Sequence, residues 1–325
     1  VSAQKVVVTD TAVGDDSLER ELAEREGAEY HHWDGSSDLA DLLDGADVVL
    51  TNFVPLGPDE LSRLPKDAVL IRYGIGVDNI DLAAAADAGL RVCNVPDYGA
   101  NVVADHATML TLMLVRRVVA FDSAMHRGET PKAAGIGTID SLESRVVGLV
   151  GAGRIAQLTA SRLQALGCTV LAFDPYADAD ALREKDIELV TWDRLLAESH
   201  VVSLHLPLTE STYHLIDDDA LAAMREGAYL VNTARGGLVD HEAVERALGS
   251  GHLGGAALDV TEPEPLPADH PLRSRADVIL TPHTAFYSTE SMARLQSLAV
   301  DEGRRALRGE DLRAPVPLPD RGTTR

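Results

Sequence analysis

The chain is poor in cysteine, in lysine and in long apolar runs. It has two cysteines, Cys93 and Cys168, each in an apolar strand-like segment. Two scattered thiols exclude a cysteine zinc site and a disulfide scaffold, so buried free thiols in a reducing compartment are expected. The longest apolar stretch, Ala107–Val115, falls far short of the ~20 residues a membrane-spanning helix needs. The opening VSAQKVVVTD is too short and polar for a signal peptide, which points to the cytoplasm. Positive charge is also scarce: 29 Lys and Arg, only four of them Lys, face 52 Asp and Glu, for a net charge of −23. That balance excludes a phosphate-backbone reader and an anionic membrane surface as partners. A small anionic substrate stays open, because a few arginines in one cleft set the local potential.

What is present is ordinary globular composition over 325 residues, long enough for about two domains. Short β-branched runs alternate with helical spacing. Lys5–Thr9, Val48–Thr51, Val69–Arg72 and Arg91–Asn94 read as buried strands; Ser17–Gly27, Ser36–Leu43 and Leu82–Gly89 read as helices. Val102–Phe121 reads as one long helix, followed by a loop over 126–141 holding Gly128, Pro131, Gly135 and Gly137. The rhythm restarts at Val146–Val150 and continues with strands at Cys168–Phe173, Val201–Leu204, Tyr229–Asn232, Ala256–Leu258 and Val278–Leu280. Helices are expected at Ile155–Leu166, Trp192–Ala197, Asp217–Met224, His241–Leu248 and Ser288–Leu307, before a Pro-rich tail expected to fray. The fold class is therefore α/β, with two doubly wound parallel sheets.

The second unit opens with VVGLVGAGRIA, where Gly151, Gly153 and Ala156 fill the positions of G-x-G-x-x-G/A. The first glycine permits the tight turn, the second lets backbone approach a pyrophosphate, and the third position must be small. Arg154 and Ile155 stand at the helix mouth, where free N–H groups favour phosphate. Asp174 follows at the end of the next strand, placed to bind ribose hydroxyls, and no Arg or Lys follows it until Arg183. NAD is expected rather than NADP.

Polar residues after later strands suit hydride transfer to a 2-keto acid. Arg235 in VNTARGG can clamp a carboxylate bidentately. His283 in TPHTAFYS can donate a proton near neutral pH. Glu264, in a loop stiffened by Pro263, Pro265 and Pro267, would favour the imidazolium by bonding its other nitrogen.

These segments, with RYGIGVDNID, NVPDYGANVVADHA, FDPY and HLPLT, resemble the NAD-dependent D-2-hydroxyacid dehydrogenase family over nearly the whole chain. The details are most similar to its C-terminal-binding-protein and phosphoglycerate-dehydrogenase branches. The resemblance implies an oxidoreductase acting on a small D-2-hydroxy acid, with Arg235, Glu264 and His283 as catalytic residues. It implies that backbone N–H groups at Ile75 and Gly76 hold the substrate carboxylate. It also implies cofactor contacts at Thr233, Ala234 and Asp259, the last on the nicotinamide amide. Residues 1–100 with 288–325 would form a flavodoxin-like substrate domain and 101–287 the NAD domain, with a cleft between them, in a homodimer. Formate dehydrogenases carry Gln at the position of Glu264, which disfavours that activity here. The C-terminal-binding-protein likeness leaves an alternative, an NAD(H)-sensing interaction protein.

Three residues carry two readings each. Arg72 suits a second anionic substrate group or a salt bridge on a strand end, and Phe286 suits a substrate wall or core packing. His205 reads as structural or at the cofactor rim. The remaining histidines lack metal-ligand spacing, so no metal is expected.

Overall fold

The computed structural model describes residues 3–11, 14–132, 135, 139 and 141–319; Gly137 of the expected loop and residues 320–325 of the tail lie outside them. The chain divides into two compact units, Val1–Gly99 with Ser288–Arg325, and Ala100–Tyr287.

The first unit runs β1 (Lys5–Val8), α1 (Ser17–Glu26), β2 (Glu29–His32), α2 (Leu39–Leu43), β3 (Val48–Thr51), α3 (Pro58–Leu61), β4 (Val69–Arg72), α4 (Leu82–Ala88) and β5 (Arg91–Cys93). Its five strands form a parallel sheet in the order β2-β1-β3-β4-β5, the flavodoxin-like order. The inner strands are runs of Val, Leu and Ile because helices cover both faces and leave no polar side. The C-terminal helix Thr289–Leu307 belongs to this unit and packs on α1, β3 and β4. Gly27 and Gly89 end α1 and α4 in the left-handed conformation.

The second unit begins with α5 (Ala100–Val115) and α6 (Val118–His126). It continues with β6 (Val146–Val150), α7 (Arg154–Ala165), β7 (Thr169–Phe173), α8 (Ala179–Arg183), β8 (Ile187–Leu189), α9 (Trp192–Glu198) and β9 (Val201–Leu204). It ends with α10 (Asp218–Ala223), β10 (Ala228–Asn232), α11 (His241–Ser250), β11 (Leu253–Leu258) and β12 (Val278–Leu280). The parallel sheet has the order β12-β11-β10-β9-β6-β7-β8. Counted within the unit this is the doubly wound Rossmann order with one added strand, and it reverses direction between β6 and β9. Ligands of such sheets bind beyond the carboxyl ends of the strands at that reversal.

Several expectations are corrected. The single helix over Val102–Phe121 is two helices, because Arg117 takes a left-handed conformation (φ 49°) and breaks the hydrogen-bond ladder. α2 starts at Leu39 rather than Ser36, because Asp38 caps it by accepting from the Ala40 N–H at 2.9 Å. The edge strands β2 (EYHH) and β8 (IEL) escaped notice because edges need no apolar run. The described part of the tail is tied down rather than frayed. The Val316 N–H donates to Val92 O at 2.8 Å, and Val316 and Leu318 pack on the first unit's core. Among the described residues no helix is long and apolar enough to cross a membrane.

Candidate active site

The Gly-rich turn sits at the sheet reversal. Gly151 has φ 93°, and a Cβ there would lie 2.5 Å from the His205 carbonyl oxygen that follows β9. Glycine is therefore required twice over, by backbone conformation and by the neighbouring strand. Its N–H donates to Phe173 O at 2.8 Å, which locks the turn to β7. Gly153 caps α7 and is exposed; a Cβ there would meet nothing within 4 Å. Ala156 is 1% exposed and packs in the core cluster with Val147 and Leu149, which is why the third position is small. Arg154 opens α7 with an exposed side chain and Ile155 is half-buried behind it. Asp174, directly after β7, accepts from the Ala152 N–H at 2.9 Å and the Tyr176 N–H at 2.9 Å. Its carboxylate is thus held against the glycine turn. His205 contacts Ser203 Oγ through Nε2 at 2.9 Å, and burial lowers its pKa to about 4, so it is neutral.

After β10, Asn232 organises the next loop. Its side chain accepts from the Ala234 N–H at 3.0 Å and donates to Arg235 O at 2.8 Å. Sequence reading passed over Asn232, although an Asn closing a strand before a loop is a turn signal. Thr233 is 8% exposed, and its Oγ1 is buried without a hydrogen-bond partner among the described residues. Ala234 is half-buried beside it. Arg235 is half-buried and donates from Nη1 to Ala234 O at 2.7 Å. A Cβ on Gly236 would overlap the Thr261 carbonyl, so the Arg235 loop lies directly on the segment leading to Glu264.

The structure brings His283 and Glu264 together, with Nδ1 2.7 Å from Oε1. His283 has φ 51°, and its N–H donates to Asp259 O at 2.7 Å and Thr281 O at 3.0 Å. Phe286 stands edge-on to the imidazole, with ring centroids 5.8 Å apart. Arg235, Asp259 and His283 follow the adjacent strands β10, β11 and β12, at the same sheet edge as the glycine turn.

Asp259 is engaged within the chain rather than directed outward. Its side chain is fully buried and accepts from Thr281 Oγ1 (2.6 Å), the Thr284 N–H (2.9 Å) and the Ala285 N–H (2.9 Å). His106 of α5 adds an Nε2 contact to Thr281 Oγ1 at 3.2 Å. Asp259 therefore shapes the backbone on both sides of His283, a role its position at a strand end did not reveal.

The other expected residues lie in the first unit. Arg72 ends β4, and its guanidinium occupies the space a Cβ on Gly74 would need. The loop that follows is pinned by Val95 N–H to Gly74 O at 2.9 Å and Asn94 Nδ2 to Ile75 O at 2.5 Å. Beneath it, buried Tyr73 donates to Glu19 at 2.5 Å and Gln296 donates to the same carboxylate at 2.8 Å. Burial raises the Glu19 pKa above the ordinary range. Among the described residues neither the Ile75 nor the Gly76 N–H has an acceptor.

Two parallel α/β sheets, one with a glycine turn at its reversal, define a Rossmann-like dinucleotide-binding protein. Residues 108–285, more than half the chain, match the D-isomer specific 2-hydroxyacid dehydrogenase NAD binding domain, and the chain belongs to that family. It is 39% identical over 250 residues to D-3-phosphoglycerate dehydrogenase of Mycobacterium tuberculosis, covering 77% of this chain and 47% of that protein. The chain thus spans about half the length of the curated relatives it matches. Among solved structures it is similar to the NAD-dependent formate dehydrogenase from Staphylococcus aureus in complex with NAD, with TM-score 0.85 and 30% identity over 98% of this chain and 99% of that one. It is also similar to D-lactate dehydrogenase from Aquifex aeolicus complexed with NAD and lactic acid, with TM-score 0.83 and 28% identity over 94% and 96%. The residues present fit NAD: open space over Gly153, a helix mouth with N–H groups lacking intrahelical partners, and an orphaned hydroxyl at Thr233.

Proposed function

We propose that this chain is an NAD(H)-dependent oxidoreductase interconverting a small D-2-hydroxy acid and its 2-keto acid. The observation that carries the reading is the 2.7 Å contact between His283 Nδ1 and Glu264 Oε1, at the sheet edge that also bears the glycine turn. A carboxylate only accepts, so Nδ1 carries its proton and Nε2 is the nitrogen that exchanges one with substrate. In the reductive direction His283 gives that proton to the oxygen of the former carbonyl. Glu264 holds the ring in place. Arg235, planar and always charged, binds the substrate carboxylate. Ile75 and Gly76 offer two N–H donors to the same kind of group, which supports the first unit as the substrate-capturing one.

NAD(H), when bound, supplies the hydride chemistry. Gly151, Gly153, Arg154 and Ile155 would hold its pyrophosphate, Asp174 its ribose hydroxyls, and Thr233 and Ala234 its nicotinamide end. Asp259 acts by positioning the His283 loop. Phe286 walls the substrate side chain. Arg72 supports the Gly74–Gly76 loop, and its charge adds to the attraction for an anionic substrate. The reading extends to a homodimer working in the cytoplasm.

The test is steady-state NADH oxidation with a panel of 2-keto acids. Turnover by the wild type that falls steeply in His283→Ala supports the reading. No turnover with any member, or undiminished turnover in the variant, overturns it.

A further inference from the structure

In the first unit, one short segment turns two successive peptide groups of its neighbour. β4 and β5 pair in parallel as far as Ile71 and Cys93. Beyond that pair the chain of β4 runs on through Gly74, Ile75 and Gly76, and that of β5 through Asn94 and Val95. The Val95 main-chain N–H donates to Gly74 O at 2.9 Å. The Asn94 side chain donates from Nδ2 to Ile75 O at 2.5 Å. Gly74 permits the turn, because its φ of 132° is one that side chains rarely allow.

Among the described residues the cis peptide bonds precede Pro263 and Pro265, so the bonds 74–75 and 75–76 are trans. In a trans unit the carbonyl and the following N–H point in opposite directions. Fixing Gly74 O therefore aims the Ile75 N–H, and fixing Ile75 O aims the Gly76 N–H. Both N–H groups are directed away from Asn94 and Val95, and neither has an acceptor among the described residues. A carbonyl that accepts a hydrogen bond also polarises its own amide, which strengthens the N–H as a donor.

Asn94 is itself held. Its main-chain N–H donates to Ala314 O at 3.2 Å, and the Val316 N–H donates to Val92 O at 2.8 Å. Cys93 and Pro315 form an antiparallel bridge between these two bonds. The end of β5 thus has β4 on one side and residues 314–316 on the other. The half-buried Asn94 side chain leaves a fixed backbone to reach Ile75.

We propose that Asn94 is a positioning residue for substrate binding. Its side-chain amide sets the direction of the Gly76 N–H, as the Val95 N–H sets that of the Ile75 N–H, and together they keep a two-donor cradle ready for a substrate carboxylate. The inference rests on the reading of Ile75 and Gly76 as carboxylate donors and adds the residue that holds them. Val95 acts through its backbone, which substitution leaves in place. Asn94 acts through its side chain, so mutation tests it. The carboxylate is the same before and during hydride transfer, so loosening its donors weakens ground state and transition state alike. The signature is a raised KM with kcat little changed.

The experiment is steady-state NADH oxidation by the full chain with glyoxylate, pyruvate and hydroxypyruvate, alongside fluorescence titration of NADH and urea unfolding. Asn94→Leu, similar in size and without a donor, is expected to raise KM for the acids turned over ~10-fold, with kcat within ~3-fold and NADH affinity within ~2-fold of wild type. Asn94→Asp, which only accepts at neutral pH, is expected to raise KM at least as far, and it tests the role even if the Leu variant folds poorly. Asn94→Gln keeps the amide donor. Asn94 borders a cavity of about 280 Å³ whose walls include Val95, Leu298 and Arg313, so the longer side chain has room. Its KM is expected to return to within ~3-fold of wild type. Wild-type KM in a folded Leu or Asp variant overturns the positioning role and leaves the dehydrogenase reading standing. So does a Gln variant no better than Leu, or a fall in kcat and NADH affinity in place of the KM effect. No turnover of any of the three acids by the wild type overturns the dehydrogenase reading, and this role with it.

Discussion

His283 and Glu264, nineteen positions apart, meet through a 2.7 Å contact between Nδ1 and Oε1. The backbone of the same residue is fixed by the Asp259 carbonyl, which accepts the His283 main-chain N–H at 2.7 Å. Side chain and backbone are thus both held by the segment that follows β11, through Glu264 and Asp259 respectively. Replacing His283 by Ala removes the proton donor and is expected to cut kcat by roughly 10²–10⁴. Glu264→Gln keeps a hydrogen-bonding side chain and loses the charge, so its deficit is expected to be smaller. NADH binding, followed by fluorescence titration, is expected to stay near wild type in both. A variant that loses NADH affinity and turnover together would indicate a structural rather than chemical role.

Gly151 and Gly153 separate folding from cofactor binding. Gly151 combines φ 93° with a neighbouring carbonyl 2.5 Å from any Cβ, so Gly151→Ala is expected to destabilise the second unit by ~1–3 kcal/mol. Gly153 has φ −70° and open space where a Cβ would go, so Gly153→Val is expected to melt within about 0.5 kcal/mol of wild type. That space is where a pyrophosphate would approach, so the same variant is expected to lose NADH affinity by tenfold or more. Urea unfolding and NADH titration on the pair check this. Gly153→Val with full affinity would place the pyrophosphate elsewhere.

Much of this was legible in the residues because it is written locally. β3, β4, β6, β9 and β12 were read with their observed limits, since a buried parallel strand is an uninterrupted apolar run. Gly151, Gly153 and Ala156 carry their roles in spacing alone. What was hidden depends on partners distant in sequence. The Arg117 break lies in a stretch whose apolar spacing favours continuous helix. β2 was invisible because EYHH gains its place from pairing with β1, not from composition. Asp259 read as an outward-facing ligand because its position after β11 is correct for one. Only the fold shows Thr281, Thr284 and Ala285 converging on it.

Asp174 makes a cofactor prediction. Its two oxygens accept from Ala152 N–H and Tyr176 N–H at 2.9 Å each, which fixes the carboxylate beside the turn. A 2′-phosphate brought to that carboxylate meets like charge, whereas ribose hydroxyls meet an acceptor. NADPH is expected to give kcat/KM at least ~100-fold below NADH, and Asp174→Ser to narrow the gap to within tenfold. Comparable efficiency of the two cofactors in the wild type would remove Asp174 from this role.

Acid stability is expected to depend on His241, which opens α11, is 5% exposed, and has an Nε2 without a hydrogen-bond partner among the described residues. Burial, with the nearby His270 charge adding to it, lowers its pKa to about 4, against the weaker opposing pull of Glu262 and Asp240. In the unfolded chain it titrates near ~6.5. Between these values the unfolded state binds a proton that the folded state does not. Stability is therefore level above about pH 6.5 and falls as pH drops towards 4, by up to ~3 kcal/mol from this group. His205, also lowered to about 4, adds in the same direction. Glu19 and Glu302 act oppositely, because burial raises both and their folded forms gain protons first as pH falls. The net slope thus mixes signs, and a difference measurement isolates His241. Urea midpoints at pH 7.5, 6 and 5 are expected to fall less steeply in His241→Leu than in wild type. Parallel curves for the two proteins would show that His241 is already charged in the folded state.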